Sequence, residues 1–127
     1  MIFGIGTDIV TVARIEAASA RHGAAFAKRI LSVQEFDEYA SQTHPARFLS
    51  KRFAAKEAFA KATGYGLRHP VSLHRMTVSH DELGKPIFLF DAELSAYLQR
   101  LGIKRHHLSI SDERDTAVAF VILEGMD

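Results

Sequence analysis

The sequence predicts an α+β protein in which helices pack on a mostly antiparallel β-sheet. Three observations lead to this fold class: an apolar, β-branched segment opens the chain, helical patterns with recognisable caps follow, and two pairs of short apolar segments are each joined by a turn. Strands joined by short turns pair antiparallel, and strands that do not alternate regularly with helices are typical of α+β proteins. At 127 residues the chain is expected to form a single domain, residues 1–127.

The first element is a strand over residues 2–10, favoured by the β-branched Ile2, Ile9 and Val10. Side chains alternate between the two faces of a strand, so the sequence predicts open space on the face that carries two glycines and a lone aspartate. That face carries Gly4, Gly6 and Asp8, and the opposite face carries Phe3, Ile5 and Ile9.

Three helical segments bounded by caps or breakers come next. Ser32 followed by Glu35 forms a capping box, in which each residue satisfies a free backbone N–H of the other. The predicted helices cover residues 12–31 with a break near Gly23, residue 32 to about Gln42, and residues 46–63 before Gly64.

Two hairpins and a short helix complete the prediction. Turn-forming residues in "HDELGKP" and "DERD" separate apolar segments that are long enough for strands. Asp91 is expected to cap the intervening helix, and Gly102 to end it. The predicted strands are residues 73–79 with 86–90 and residues 107–111 with 116–124, and the helix runs to about Leu101.

Composition excludes several classes of protein. No apolar run approaches the roughly 20 residues that span a bilayer, the N-terminus has no basic leader, and no membrane association is expected. The absence of cysteine excludes a disulfide framework and favours a reducing, cytoplasmic location. The net charge of +1 argues against a general nucleic-acid binder, whereas the local excess of +3 over residues 11–31 favours an acidic partner.

The segment "KRFAAKEAFAKATGYG" carries charges where a packing helix should be apolar. On an ideal helix Arg52 and Lys56 fall inside an apolar arc of about 140°, and Glu57 and Lys61 lie at its edge. Long basic side chains can snorkel along apolar surface, and a Glu–Lys pair four residues apart supports a helix. Burying two unpaired cations is costly, however, so the pattern indicates a groove for an anion such as a phosphate.

Glu57 does not fit a purely cationic groove. A carboxylate among phosphate-binding residues suits a divalent metal, because Mg²⁺ bridges one or two carboxylates to substrate phosphates. Asp8 is the natural second carboxylate, although it can also serve as a cap or turn residue at the strand end. Spacing alone does not show that Asp8 and Glu57 meet. Gly64 and Gly66 either end the helix or allow a ligand to approach the backbone closely.

The chain resembles the holo-[acyl-carrier-protein] synthase family, the small 4′-phosphopantetheinyl transferases. The resemblance covers nearly the whole chain, and its motifs are highly specific in combination although each is weak alone. They are "GIGTDIV" at 4–10 with Arg14, "RFAAKEAFAKA" at 52–62 with "GYG" at 64–66, "ELGKP" at 82–86, and "HLSIS" with "AVAFVI" between 107 and 122. Many relatives have "S-H" after the last "S-I", where this chain has Asp112, so a histidine contact to the coenzyme cannot be carried over.

The resemblance implies transfer of the phosphopantetheine arm from coenzyme A to a serine of apo acyl carrier protein, with release of adenosine 3′,5′-bisphosphate, in support of fatty acid biosynthesis. It also implies a homotrimer with active sites at subunit interfaces and a carrier protein docked on a basic helix. The implied roles are Mg²⁺ binding by Asp8 and Glu57, a diphosphate contact by Lys61, a nucleotide phosphate contact by Arg52, and a coenzyme site along Gly64 and Gly66.

Two further roles follow from the chemistry of the transfer. The serine hydroxyl needs a base, and Glu57, directly or through a metal-bound water molecule, is the candidate. Arg14, Arg21 and Lys28 recur every seven residues, so on an unbroken helix they would form a stripe that drifts only about 20° per step. Such a stripe is either a docking site for an acidic carrier helix or an ordinary solvated face. The different-class alternative is a non-catalytic module that binds an acidic protein or a nucleotide through the same surfaces.

Overall fold

The computed structural model describes residues 1–126, which form five helices and five strands joined by short loops. The chain order confirms the predicted α+β class: strand, four helices, hairpin, helix, hairpin. The elements are β1 (Ile2–Thr11), α1 (Val12–His22), α2 (Ala24–Ile30), α3 (Val33–Tyr39), α4 (Pro45–Thr63), β2 (Met76–His80), β3 (Pro86–Phe90), α5 (Ala92–Arg100), β4 (Ile103–Asp112) and β5 (Thr116–Gly125), with a single 3-10 turn at Leu73–Arg75.

Both sheets are antiparallel. The larger one has the strand order β1-β5-β4, and β2 and β3 form a separate two-stranded ribbon. In the larger sheet Asp8 lies opposite Ala119, and Ala119 lies opposite Ile110. Because directly paired residues share a face, these three side chains form one row on the face that α4 covers.

Most predicted boundaries are confirmed, and the differences have local causes. Gly23, with φ +62°, divides the segment 12–31 into α1 and α2, which confirms the break predicted at this glycine. The capping box of Ser32 and Glu35 is present, but α3 ends before Gln42 because the side chains of Ser41 and Gln42 bond to the carbonyl of Glu38. The strand predicted at 107–111 begins earlier, at Ile103, because β5 is long enough to pair with it there.

Helix α4 is the central element of the fold. It begins with Pro45 in its first turn and ends at Gly64, which adopts the left-handed conformation with φ +78°. It packs against β1 and β5 on one side and against α1, α2 and the β2–β3 ribbon on others. The wheel indicated one apolar arc, whereas the structure also buries the alanines outside it, among them Ala54, Ala58 and Ala62. Small side chains there let the helix lie close to the sheet.

The predicted open space beside Asp8 is wrong, because α4 fills it. A Cβ atom built on Gly4 would lie 2.0 Å from the carbonyl oxygen of Ala62, and one built on Gly6 would lie 2.0 Å from that of Ala58. The two glycines therefore allow backbone-to-backbone contact between β1 and α4. This contact brings the inward side of β1, with Asp8, next to the helix.

Gly6→Ala is expected to destabilise the protein by about 3 kcal/mol, at the upper end of the usual cost of overpacking. The added methyl group meets backbone atoms, including the Ala62 amide nitrogen at 2.7 Å, and these cannot turn aside as a flexible side chain would. The check is urea unfolding beside Gly84→Ala, which has no atom within 4 Å of the new Cβ but a φ of +86°, so it measures the cost of a strained backbone without a clash, and Gly6→Ala should lose more than this control. The contact between β1 and α4 is not close-packed if Gly6→Ala unfolds at the same urea concentration as its control.

The outward face of the larger sheet is apolar and uncovered. Ile5 is 59%, Ile9 69% and Phe120 42% exposed. Their neighbours across the sheet, Ile122 and Val118, point to the same side because they pair with Ile5 and Ile9. A contiguous exposed apolar face of this kind is typical of an interaction surface.

The adjacent residues His106 and His107 point to opposite sides of β4. The Nε2 atom of His106 accepts a hydrogen bond of 3.0 Å from the backbone N–H of Phe88, which connects the two sheets, while His107 contacts Glu124 on the outward face. Burial, with smaller effects of His107 and Lys85, lowers the pKa of His106. The neutral ring, which can accept this bond, is therefore the form that the fold favours.

Stability should fall as the pH drops from neutral through the ordinary pKa of histidine, because the unfolded chain takes up a proton that folded His106 resists. Below the lowered pKa the folded protein is also protonated and the effect levels off. His106→Gln keeps an acceptor without a titrating group, so its stability should change less between pH 7 and pH 5, as measured by urea unfolding at each pH. Equal pH slopes in both proteins would show that His106 is not responsible.

No helix within residues 1–126 is long and apolar enough to cross a membrane.

Candidate active site

Three of the predicted site residues come together between β1 and α4. The Nζ atom of Lys61 lies 3.1 Å from Oδ1 of Asp8 and 3.0 Å from the carbonyl oxygen of Thr7. Glu57 lies one helical turn before Lys61 on the same side of α4. The fold thus joins a strand residue to two helix residues that are about fifty positions away in the sequence.

The electrostatics of Glu57 show that Asp8 is a near neighbour. Burial is the largest cause of the raised pKa of Glu57, the negative charge of Asp8 raises it further, and Lys61 opposes both effects. A carboxyl group with a raised pKa is a better proton acceptor than an ordinary carboxylate. A cation bound between Asp8 and Glu57 would neutralise both charges and so stabilise the ionised form of Glu57.

These residues fit a magnesium ion better than a metal held entirely by protein. Asp8 and Glu57 supply two hard oxygen donors, and no group of three or more acidic or histidine side chains suited to a metal occurs in residues 1–126. Mg²⁺ is commonly held by one or two carboxylates and completes its shell with water and substrate phosphates. In the structure, the positive charge in contact with Asp8 is the ammonium group of Lys61.

Lys56 has a different role from the one predicted. It is fully buried, and its Nζ atom donates to Glu35 Oε1 at 2.5 Å and to the carbonyl oxygen of Ile30 at 2.8 Å. Burial lowers the pKa of Lys56, and the negative charge of Glu35 raises it again. The anion inferred from this buried cation therefore belongs to the chain itself, and for Lys56 the prediction of a ligand groove is wrong.

Glu35 is the residue that the sequence interpretation missed. It is completely buried, and besides Lys56 it accepts hydrogen bonds from the backbone N–H groups of Ser32 and Val78, at 3.0 and 2.7 Å. Its place in the capping box was evident from the sequence, but a capping glutamate is usually exposed and needs no cation. Two cations in the apolar arc of α4 were the signal that a buried acid had to be near.

Arg52 lies on the opposite side of α4 from Lys61, since nine residues correspond to about 900°, or two and a half turns. Its guanidinium group stacks on Phe48 and lies 3.7 Å from Glu35 and 3.6 Å from Glu38. Its Nε atom is buried and has no hydrogen-bond partner among the described residues. Arg52 is thus only partly satisfied by its own neighbours.

A cationic cavity of about 640 Å³ adjoins Arg52. It lies between the loop that follows α3, the first turns of α4, the β2–β3 ribbon and the end of β4. Two of its arginines face acids: Arg52 lies near Glu38, and Arg47 lies 3.4 Å from Asp112. Asp112 thus lines this cavity as an ion-pair partner. The other basic residues that line it are His44, Lys51 and His80.

Gly64 and Gly66 form the end of α4, as one of the two interpretations predicted. Gly64 and Gly66 both have positive φ, +78° and +76°, and their amides bond back to the carbonyls of Lys61 and Ala60. No atom lies within 4 Å of a Cβ atom built on either glycine, so the space outside the loop is open. The coenzyme contact at these glycines stays a prediction.

The three cations proposed to dock a partner do not lie on one helix. Arg14 and Arg21 are exposed on α1, whereas Lys28 follows the break at Gly23 and lies on α2, 5.4 Å from the ring of Phe36. The argument from an unbroken helix therefore holds for Arg14 and Arg21 alone. The role of Lys28 stays a prediction that depends on its charge and exposure.

The chain is similar to known proteins over nearly its entire length. It is 58% identical over 124 residues to a holo-[acyl-carrier-protein] synthase from Nitrosospira multiformis, which covers 98% of this chain and 99% of that protein. The crystal structure of holo-[acyl-carrier-protein] synthase from Neisseria meningitidis matches with a TM-score of 0.95 at 51% identity, covering 98% of this chain and 99% of that one.

A Bacillus anthracis holo-(acyl-carrier-protein) synthase, solved in complex with CoA (3′,5′-ADP), matches with a TM-score of 0.81 at 36% identity over 99% of both chains. The family model described as the 4′-phosphopantetheinyl transferase superfamily matches residues 4–121. The resemblance expected from the sequence motifs is confirmed: the chain belongs to the 4′-phosphopantetheinyl transferase superfamily.

Proposed function

We propose that this chain transfers the 4′-phosphopantetheine group from coenzyme A to a serine of apo acyl carrier protein, and that Asp8, Glu57 and Lys61 carry the reaction. The observation that supports the site is the contact of Lys61 with Asp8, beside a Glu57 whose pKa that aspartate raises. Two acids and a lysine in one half-buried place are the groups that a diphosphate and a divalent cation require.

The transfer forms one bond and breaks another at the same phosphorus atom. The serine oxygen attacks the β-phosphorus of coenzyme A, the bond from that phosphorus to the bridging oxygen breaks, and adenosine 3′,5′-bisphosphate leaves with the electron pair. Glu57, directly or through a water molecule, takes the serine proton. Lys61 moves from Asp8 to the phosphoryl oxygens and neutralises the charge that develops there.

Asp8 and Glu57 would hold the Mg²⁺ ion, which when bound supplies positive charge to the diphosphate and relieves the repulsion between the two acids. This assignment also explains why Asp8 and Glu57 are tolerated next to each other in a partly buried position. Without a cation, Asp8 disfavours the ionised form of Glu57.

The phosphates of the nucleotide end of coenzyme A are assigned to the cationic cavity of a neighbouring subunit, with Arg52 among the contacts, because Arg52 and Lys61 lie on opposite sides of α4 within one chain. The guanidinium group of Arg52 lines this cavity, and its contacts with Glu35 and Glu38 are longer than hydrogen bonds, so it can still bind a phosphate. Gly64 and Gly66 are proposed to flank another part of the coenzyme, where their open surface leaves room for it.

A homotrimer with active sites at subunit interfaces is proposed for the assembly. The exposed apolar face around Ile5, Ile9 and Phe120 supports self-association, because a sheet face of this kind gains from being covered. A cytoplasmic location is proposed from the absence of cysteine and from the carrier-protein substrate. Neither nucleic acid nor membrane is needed for this function.

The test is a transfer assay with the intact protein, coenzyme A, Mg²⁺ and apo acyl carrier protein. The expected result is a carrier protein heavier by one phosphopantetheine group, measured by mass spectrometry, and lost when the carrier serine is replaced by alanine. No mass gain with any carrier protein, where a known transferase works in parallel, would exclude the activity.

Reversing the charges of Arg14 and Arg21 to glutamate should raise the KM for carrier protein on the order of tenfold, because exposed charges steer and orient an acidic partner. The KM for coenzyme A should not change, since both side chains are exposed on α1, away from the cavity. Steady-state kinetics in each substrate separates the two effects. An equal rise in both constants would argue against a docking role for α1.

A further inference from the structure

The cationic cavity contains two acids of its own. Its lining includes the arginines Arg47 and Arg52 and the carboxylates Glu38 and Asp112. The Arg52–Glu38 distance is 3.6 Å and the Arg47–Asp112 distance is 3.4 Å. An acid beside each arginine weakens the binding of phosphates, so tight phosphate binding alone does not account for the composition of this cavity.

Neither acid has a structural role comparable to that of Glu35. The side chains of Glu38 and Asp112 are 56% and 27% exposed, and the contact that the structure gives each is to its arginine. Glu35, in contrast, is buried and binds Lys56 and two backbone amides. Arg52 already has Glu35 as a buried counter-charge, so Glu38 is not needed to stabilise it in the fold.

We propose that Glu38 and Asp112 set the phosphate affinity of this cavity, each by occupying one arginine and repelling an incoming anion. The proposal depends on the function proposed above, because it identifies the cavity with the coenzyme's nucleotide phosphates. A ligand phosphate must compete with a carboxylate for each arginine, which weakens the binding of substrate and of adenosine 3′,5′-bisphosphate alike. The consequence is faster release of the bisphosphate product.

The test measures binding of adenosine 3′,5′-bisphosphate by calorimetry to the intact protein and to Glu38→Gln and Asp112→Asn. Each variant should bind the bisphosphate about two- to fivefold more tightly, the range expected when one partly exposed charge is removed. The gain should shrink at high salt, because salt screens the repulsion that was removed. Thermal melts of both variants establish that they are folded.

Glu93→Gln is a matched control. Glu93 is 51% exposed and lies 2.7 Å from an arginine, Arg75, but it is not part of the cavity lining. Its substitution should leave bisphosphate affinity unchanged. Unchanged or weaker binding in both cavity variants would overturn the proposal, and a gain in only one would overturn it for the other acid.

The transfer assay separates this proposal from the function on which it depends. If wild type transfers phosphopantetheine but the variants bind the bisphosphate no more tightly, the roles of Glu38 and Asp112 are wrong and the function stands. If the variants bind more tightly but wild type transfers nothing, the anion cavity stands and the proposed function fails.

Discussion

Glu57→Gln is expected to lower the turnover of phosphopantetheine transfer by about 10²–10⁴-fold, the usual contribution of a positioned general base. The amide keeps the size of the side chain but cannot accept the serine proton, and it offers a weaker donor to Mg²⁺. Removing the negative charge also relieves the repulsion with Asp8, so the variant should fold at least as stably as wild type. The loss of turnover would then come from the missing carboxylate and not from a loss of folding.

The measurements are single-turnover transfer rates over a range of Mg²⁺ concentrations, together with a thermal melt. Excess Mg²⁺ should restore part of the rate if Glu57 acts mainly through the metal, and none if it acts mainly as the base. Glu93→Gln again serves as the control, because Glu93 contacts Arg75 and His69 rather than the site.

The same variant separates an enzyme from a binding module. A non-catalytic module that holds an acidic protein or a nucleotide would lose nothing with Glu57→Gln and would bind anions equally or better, because a negative charge is removed. A transferase that requires the carboxylate loses its rate while keeping coenzyme A binding. Full activity in the variant would remove Glu57 from both of its proposed roles.

The sequence predicted those parts of the fold that depend on neighbouring residues. The capping box of Ser32 and Glu35, the Asp91 cap and the helix end at Gly64 are all present, because each depends on hydrogen bonds within a few residues. The meeting of Asp8 with Glu57 was implied by the family resemblance alone, and the direct contact of Lys61 with Asp8 was not predicted. Their positions in the chain carry no information about a contact between distant segments.

Two errors show where local patterns fail. The space beside Gly4 and Gly6 was expected to be open, yet α4 lies against both glycines, because a missing side chain permits either a cavity or a close approach of backbone. Lys56 was interpreted with Arg52 as part of an anion groove, and its own contact was left open, yet it pairs with Glu35 inside the chain. A helical wheel gives the direction of a side chain but not the element that lies opposite it.

Lys56→Met should be the most destabilising single substitution proposed here, at about 3–5 kcal/mol, the usual cost of removing one partner of a buried ion pair. Glu35 would keep its two backbone donors and the more distant Arg52, at 3.7 Å, but this buried carboxylate would lose its closest cation. For a domain of this size the loss corresponds to a fall in Tm of roughly 10–20 °C. Lys51→Met is the control on the same helix: Lys51 is partly exposed at the cavity lining, so its loss should cost less than about 1 kcal/mol.

A double variant identifies the cause. Glu35→Gln with Lys56→Met removes the buried carboxylate that has lost its closest cation and should recover much of the loss at neutral pH. Urea unfolding of wild type, Lys56→Met and the double variant at pH 7 measures the recovery. If the double variant is no more stable than Lys56→Met, lost packing around the lysine stem, rather than the lost counter-charge of Glu35, accounts for the deficit.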